Sequence, residues 1–210
     1  MDQNRPALRA DARRNRARVL AAAQEAFAAE GRVVALDEIA RRAGVGAGTV
    51  YRHFATKELL FEAVIIDRLH ALRDDAIGRI AAADQDAGVA FFGFLAEMIR
   101  SAVVNRAISD ALATTPQATV DAVGAVKGEL MAQFGALLRR AQRAGAVRAD
   151  IRPDDLGALI LGCLELHRHA SDDDTAVRLI TVVQDGLRPP HAPGRSGGPS
   201  IAGRLTGRIG

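Results

Sequence analysis

A single cysteine, Cys163, occurs in 210 residues, and a lone thiol can neither close an internal disulfide nor build a cysteine-rich zinc site. Long apolar runs are absent as well. None approaches the ~18 residues of a membrane span, so no membrane partner is expected. The first twenty residues hold six arginines and two aspartates where a secretory signal would carry an unbroken apolar stretch, which makes the cytoplasm the expected compartment. Alternation of β-branched residues with polar ones is nearly missing, which argues against sheet. Catalytic signatures are lacking too: there is no G-x-S-x-G, no Walker sequence and no H-E-x-x-H. An all-α enzyme therefore has no visible nucleophile, base or phosphate loop, and no cofactor is implied. His167 and His169 stand two residues apart and project to different helix faces, which argues against a metal site, and Asp172, Asp173 and Asp174 suit helix capping instead. Cys163, in a leucine-rich segment, behaves as a small apolar residue.

What is present is helical. Hydrophobic residues make up 49% of the chain and charged ones 25%, enough for one large or two small domains with a real core. Apolar positions recur at three- and four-residue steps almost throughout, which predicts an all-α fold. A first helix is expected from about Asp11 to Glu30, with Val19, Leu20, Ala23 and Phe27 inward and Gly31 as its cap. A short second helix carries Leu36, Ile39, Ala40 and Ala43 on one stripe and stops at Gly44. A third of barely two turns spans Ala47 to Phe54, and a fourth starts behind the capping hydroxyl of Thr56. Later helices are separated at Asp84–Asp86, at Thr115-Pro116 and around Gly145 to Pro153. Pro153 opens a helix to about Ala170, and Asp172–Asp174 head a last one from about Thr175 to Leu187.

Charge divides the chain. Residues 1–60 hold 11 basic and 7 acidic side chains, residues 61–188 hold 14 and 18, and residues 189–210 hold 3 and none. A basic front on an acidic body suits a polyanionic partner for the first part, although charge alone equally fits a solvated arm. The segment LDEIARRAGVGAGTVYRHF, residues 36 to 54, has the helix, glycine turn and helix of a helix-turn-helix, within a motif of about residues 35–54. Val50 and Phe54, four apart, face inward. Helical geometry then leaves Ala47, Gly48, Thr49, Tyr51, Arg52 and His53 to a major groove or its phosphate walls. Arg52 suits bidentate reading of guanine.

The run IARRAGVGAGTVYRHFATKELLFEAV, Ile39 to Val64, resembles the signature of the TetR/AcrR-like bacterial transcriptional regulators, and the likeness covers about residues 12–72. It implies a three-helix DNA-binding domain with a helix-turn-helix, followed by a helical ligand-binding and dimerisation domain. It also implies that Tyr51, His53 and Lys57 contact phosphates and that Thr49 faces the groove, roles that fit donors which fix register without reading sequence. Two departures stand out: Gly46 replaces a serine common at that cap, and Ala35-Leu36 replaces a threonine or serine. The organisation that follows is a basic flexible arm at 1–11, a DNA-binding domain at 12–72, an effector-binding and dimerisation domain at 73–188 and a disordered tail at 189–210.

In the body the resemblance implies an effector cavity and a two-fold pairing of the last two helices. The cavity candidates are Phe91, Phe92, Phe94, Leu95, Met98, Ile99, Leu130, Met131, Phe134 and Leu138, for which plain core is the competing reading. The last two helices carry more apolar surface than one protomer can cover, so a homodimer interface of ~2,000 Å² or more is expected through Leu156, Leu159, Ile160, Cys163, Val177, Ile180, Val183 and Leu187. Two recognition helices ~34 Å apart would read a palindromic operator. The expected function is a sequence-specific repressor released from double-stranded DNA by a small molecule. An effector-independent DNA-binding protein is the alternative, distinguished by a body filled solid with side chains.

Overall fold

The computed structural model describes residues 5–30, 33–82, 86–104, 117–169 and 172–190. Among the described residues every regular element longer than a turn is helical. They are α1 (Arg5–Glu30), α2 (Leu36–Ala43), α3 (Ala47–His53), α4 (Lys57–Ala81), α5 (Ala87–Val104), α6 (Gln117–Arg143), α7 (Pro153–His169) and α8 (Asp173–Gly186). No helix among them is long and apolar enough to cross a membrane. The expected cap at Gly31, the break at Pro116 and the tail beyond residue 190 lie outside the described residues, as do Asp84 and Gln85.

The elements stop where backbone chemistry makes stopping cheap. Gly44 takes φ 62° after α2, and its amide and that of Val45 bond back to Arg41 and Ala40 at 3.1 and 3.0 Å, a Schellman closure. Gly145 repeats the device after α6 with φ 71°. Thr56 caps α4 by accepting from the Leu59 amide at 3.3 Å, and Asp172 caps α8 by accepting from the Thr175 amide at 2.7 Å. At the head of α7, Asp155 reaches back to the Arg152 amide at 2.8 Å while Pro153 occupies the first turn, where its missing N–H costs nothing.

One expectation about boundaries is corrected, and another meets a continuous helix. The first helix begins at Arg5 rather than near Asp11, so most of the segment expected as a flexible arm is helical. Pro6 is tolerated in a first turn, and Ala7, Leu8, Arg9 and Ala10 that follow are all strong helix formers. The expected division at residue 72/73 falls inside α4, which continues without a break to Ala81.

Burial nevertheless sorts into two cores. The first gathers Val19, Ala23 and Phe27 of α1, Ile39 and Ala43 of α2, Val50 of α3 and Leu60, Phe61 and Val64 of α4. The second gathers Leu72 and Ala76 of α4 with Phe91, Phe94 and Leu95 of α5, Leu130, Phe134 and Leu138 of α6 and Leu156 and Ile160 of α7. Leu69 packs against both, which makes α4 the shared beam. The end of the described chain is tied down: the Arg148 amide donates to the Leu187 carbonyl at 2.9 Å, and the Arg188 guanidinium lies 4.6 Å over the Phe92 ring.

Candidate nucleic-acid interface and interior cavity

α3 is held by its inner side and exposed on its outer one. Val50 and Phe54 are buried, whereas Ala47, Gly48, Arg52 and His53 are exposed and Tyr51 retains 49% of its accessible surface. Thr49 is half-buried, as is Lys57 in the first turn of α4. All seven residues named for DNA contact therefore cluster on α3 and the adjoining start of α4. Arg52 lies back along its own helix, its Nε donating to the Gly48 carbonyl at 3.1 Å, so it must swing outward to meet a base. No side chain caps α3; Gly46 stands at the cap with φ −67° and only its carbonyl is engaged, by the Thr49 amide at 2.8 Å.

Several arginines counted in the basic front hold this head together. Arg18 of α1 donates from Nη2 to the Gly44 carbonyl at 2.8 Å, tying the first helix to the turn between α2 and α3. The Arg16 guanidinium sits 5.5 Å over the Phe54 ring at the end of α3. Arg42 bridges to Glu30 of α1 at 2.6 Å and, through Nε, to Glu38 at 2.7 Å; Arg41 grips the same Glu38 carboxylate with two bonds of 2.8 and 2.6 Å. Hydrogen bonds from Arg41 and then Arg42 hold the Glu38 carboxyl down to about 2, against an ordinary 4.5. Arg14 pairs with Asp11. Among the described residues of the head, Arg13 and Arg52 are also exposed and Lys57 is half-buried. Phe27 of α1 and Phe61 of α4 meet edge to face at 5.3 Å beneath them. The bracing roles of Arg16 and Arg18 had a faint signal in the sequence, since they flank the buried Val19 and Leu20 on the same stretch of helix.

A cavity of about 270 Å³ opens between the body helices. Its wall comes from Val64, Ile65, Arg68, Leu69 and Leu72 of α4, Met98, Ser101 and Ala102 of α5, Val123, Lys127, Leu130 and Met131 of α6, and Gly157, Ile160 and Leu161 of α7. Of the ten residues named for an effector site, Met98, Leu130 and Met131 line it. Phe91, Phe94, Leu95, Ile99, Phe134 and Leu138 are instead buried in the second core, where Phe94 meets Phe134 edge to face at 5.1 Å, and Phe92 packs under Arg188. The phenylalanines fill the interior because they are the bulkiest apolar groups in the body, so the space left over is bounded by smaller and more flexible side chains. The α4 contribution was missed. Its signal was available: Val64, Ile65, Arg68, Leu69 and Leu72 form one helical stripe that runs on from the core of the reading head.

α7 and α8 each show two faces. Leu156, Ile160, Cys163 and Leu187 are buried in the protomer's own core, with Leu159, Ile180 and Val183 packed against it. Of the eight residues expected at a dimer face, Leu156, Ile160, Cys163 and Leu187 thus lie inside the protomer, while Leu159, Ile180 and Val183 are half-buried and keep part of their surface. Burial accordingly pushes the Cys163 thiol up from its usual range. Val177 alone of the eight is open, at 62% exposure, and it is joined by Val182 at 67% and Leu161 at 63%. Ala158, Leu161, Gly162, Glu165 and Leu166 of α7 follow one outward stripe, and Val177, Arg178, Thr181 and Val182 of α8 another.

A short helix with a buried inner edge, braced by a preceding helix across a glycine turn and mounted on a helical body, is the architecture of a helix-turn-helix DNA-binding protein. Residues 19–64 match the family described as bacterial regulatory proteins of the tetR family, and residues 86–189 match the C-terminal domain of SbtR-like transcriptional regulators. A TetR transcription regulatory protein from Mycobacterium vanbaalenii is 44% identical, with a TM-score of 0.71 over 87% of this chain and 99% of its own. The regulator SCO0520 from Streptomyces coelicolor is 33% identical, with a TM-score of 0.70 over 84% and 99%. Two Pseudomonas putida proteins, the HTH-type transcriptional regulators TtgW and SrpR, are 46% identical over 67 residues, which is 31% of this chain and only 50% and 32% of theirs. The chain belongs to the TetR family of bacterial transcriptional regulators.

Proposed function

We propose that the protein is a homodimeric repressor that holds a palindromic operator through α3 of each copy and releases it when a small molecule enters the body cavity. The observation that carries this reading is a shared wall. Val64, Ile65 and Val123 belong to the core of the reading head and also line the cavity, so a molecule seated there presses on the packing that orients α3. α4, capped by Thr56 beside α3 and reaching the cavity at Arg68 and Leu72, is the rigid element that transmits the change. Weakening operator binding a hundredfold requires the effector to favour the non-binding state by ~2.7 kcal/mol, an ordinary coupling energy.

In this reading residues 12–72 form the DNA-binding unit and residues 73–188 the effector and dimer unit, joined through α4. Tyr51, His53 and Lys57 bind phosphates, Thr49 faces the groove, Ala47 and Gly48 let the backbone come close, and Arg52 turns outward to guanine. The exposed stripe of Leu161 and Leu166, with Val177 and Val182, supports a second copy as the cover of α7 and α8. A cavity in the body favours effector control over an effector-independent DNA binder.

Selection of bound duplexes from a random library by the purified protein tests the reading. A two-fold symmetric consensus is expected. Recovery of asymmetric or unrelated duplexes would refute the operator assignment, and a consensus whose binding no metabolite in a broad panel alters would refute effector control.

A further inference from the structure

We propose that the cavity takes a small, mostly apolar carboxylate, with its hydrocarbon part among Leu69, Met98, Leu130 and Ile160 and its anionic end between Arg68 and Lys127; this rests on the effector reading of the cavity. Size sets the first limit. At about 270 Å³ the space lies just under the ~300–1,000 Å³ typical of small-molecule sites, which excludes bulky polycyclic ligands.

Charge sets the second. The charged groups of the wall are Arg68 and Lys127, the remaining polar side chain is that of Ser101, and no acidic residue lines it among the described residues. Glu97 neutralises Arg68 only in part. It accepts from Arg68 Nη2 at 2.6 Å but also pairs with Arg100, so one carboxylate is shared between two guanidiniums. Ser101 Oγ accepts from Arg68 Nε at 3.0 Å. These two contacts occupy two of the five N–H donors of the guanidinium, and the rest of its fork remains for a ligand oxygen. Lys127 is exposed on α6, and no acidic side chain shares the wall with it among the described residues. It stands four residues from Val123 and from Met131, both in the same wall, so its aliphatic stem follows an apolar stripe while its ammonium carries the charge at the rim. An alcohol leaves that positive potential unused, and an amine meets two cations.

The same geometry names a regulatory step. A carboxylate on Arg68 competes with Glu97 for it and loosens the tie between α4 and α5, on the helix that supports the reading head.

Titration calorimetry on the full-length protein tests this with two probe sets, octanoate against octanol and octylamine, and benzoate against benzyl alcohol and benzylamine. In at least one set the carboxylate is expected to bind about tenfold more tightly than the alcohol, with no binding of the amine. Lys127→Gln, an exposed position that tolerates the change, is expected to remove most of that preference and leave the alcohol's affinity unaltered. Equal or tighter binding of the alcohols in both sets overturns the carboxylate assignment and keeps the cavity as an apolar site. Absence of heat from all six probes at two well-separated temperatures overturns both.

Discussion

Gly44 and Gly46 flank Val45 in the turn of the helix-turn-helix, and alanine at the first is expected to damage what serine at the second improves. At Gly44 the backbone has φ 62°, a conformation that costs a residue with a Cβ about 1–2 kcal/mol. An added Cβ would also stand 2.6 Å from Arg18 Nη2, so the arginine must retreat from the carbonyl it bonds. That hydrogen bond is exposed and is worth at most about 1 kcal/mol. Gly44→Ala is therefore expected to cost about 1–3 kcal/mol, the αL strain of ~1–2 being the larger share. At Gly46 φ is −67°, and the nearest foreign atom to an added Cβ is Thr49 Oγ1 at 4.0 Å. Gly46→Ser supplies the missing cap acceptor for the first amides of α3 and is expected to gain a few tenths of a kcal/mol. Urea unfolding of the full chain at fixed protein concentration, followed by helical circular dichroism, measures both. A loss below about 0.5 kcal/mol at Gly44, or a loss at Gly46 as large as that at Gly44, would refute the assignment of distinct roles to the two glycines.

On a selected operator, Tyr51→Ala and Lys57→Ala are expected to weaken binding across all sequences, with Lys57→Ala alone also flattening its salt dependence, whereas Arg52→Ala relaxes preference at one base pair by about 1–3 kcal/mol; anisotropy titrations at two salt concentrations separate the outcomes. Glu38 has a folded pKa of about 2 against 4.5, so the stability it contributes is complete above pH 4.5 and is lost as pH falls from there through 2. The advantage of wild type over Glu38→Gln in thermal unfolding is thus expected to shrink between pH 6 and pH 3, and a constant advantage would contradict the Arg41–Glu38–Arg42 clasp as its source. Val182→Glu places a charge on the exposed stripe of α8 and is expected to yield folded monomer in sedimentation velocity. Leu156→Ala, at a fully buried position, instead lowers protomer stability by about 2–5 kcal/mol without changing the assembly state.

The reading head was legible because its information is local. Apolar residues at three- and four-residue steps, a glycine that stops α2, a hydroxyl that starts α4 and the inward pair Val50 and Phe54 all act within a few turns of their own chain, so periodicity and capping chemistry suffice to draw it. The outer residues of α3 followed from the same geometry, and Lys57 from the resemblance to the family signature. The start of α1 was misjudged because a charged segment can be helical without an apolar stripe to announce it.

Where choices depended on neighbours distant in sequence, the residues alone left them open. α7 is apolar on more than one side, and nothing within it says that Leu156, Ile160 and Cys163 turn toward α5 and α6 while Leu161 turns out. Likewise Phe91 and Phe134 carry the same stripe whether they bound a cavity or fill a core, and only the packing of α4 against α5, α6 and α7 decided where space remained. Hydrogen bonding along one helix is settled by adjacent turns, but burial is settled by whatever volume other helices occupy, and that quantity exists only once the chain has folded.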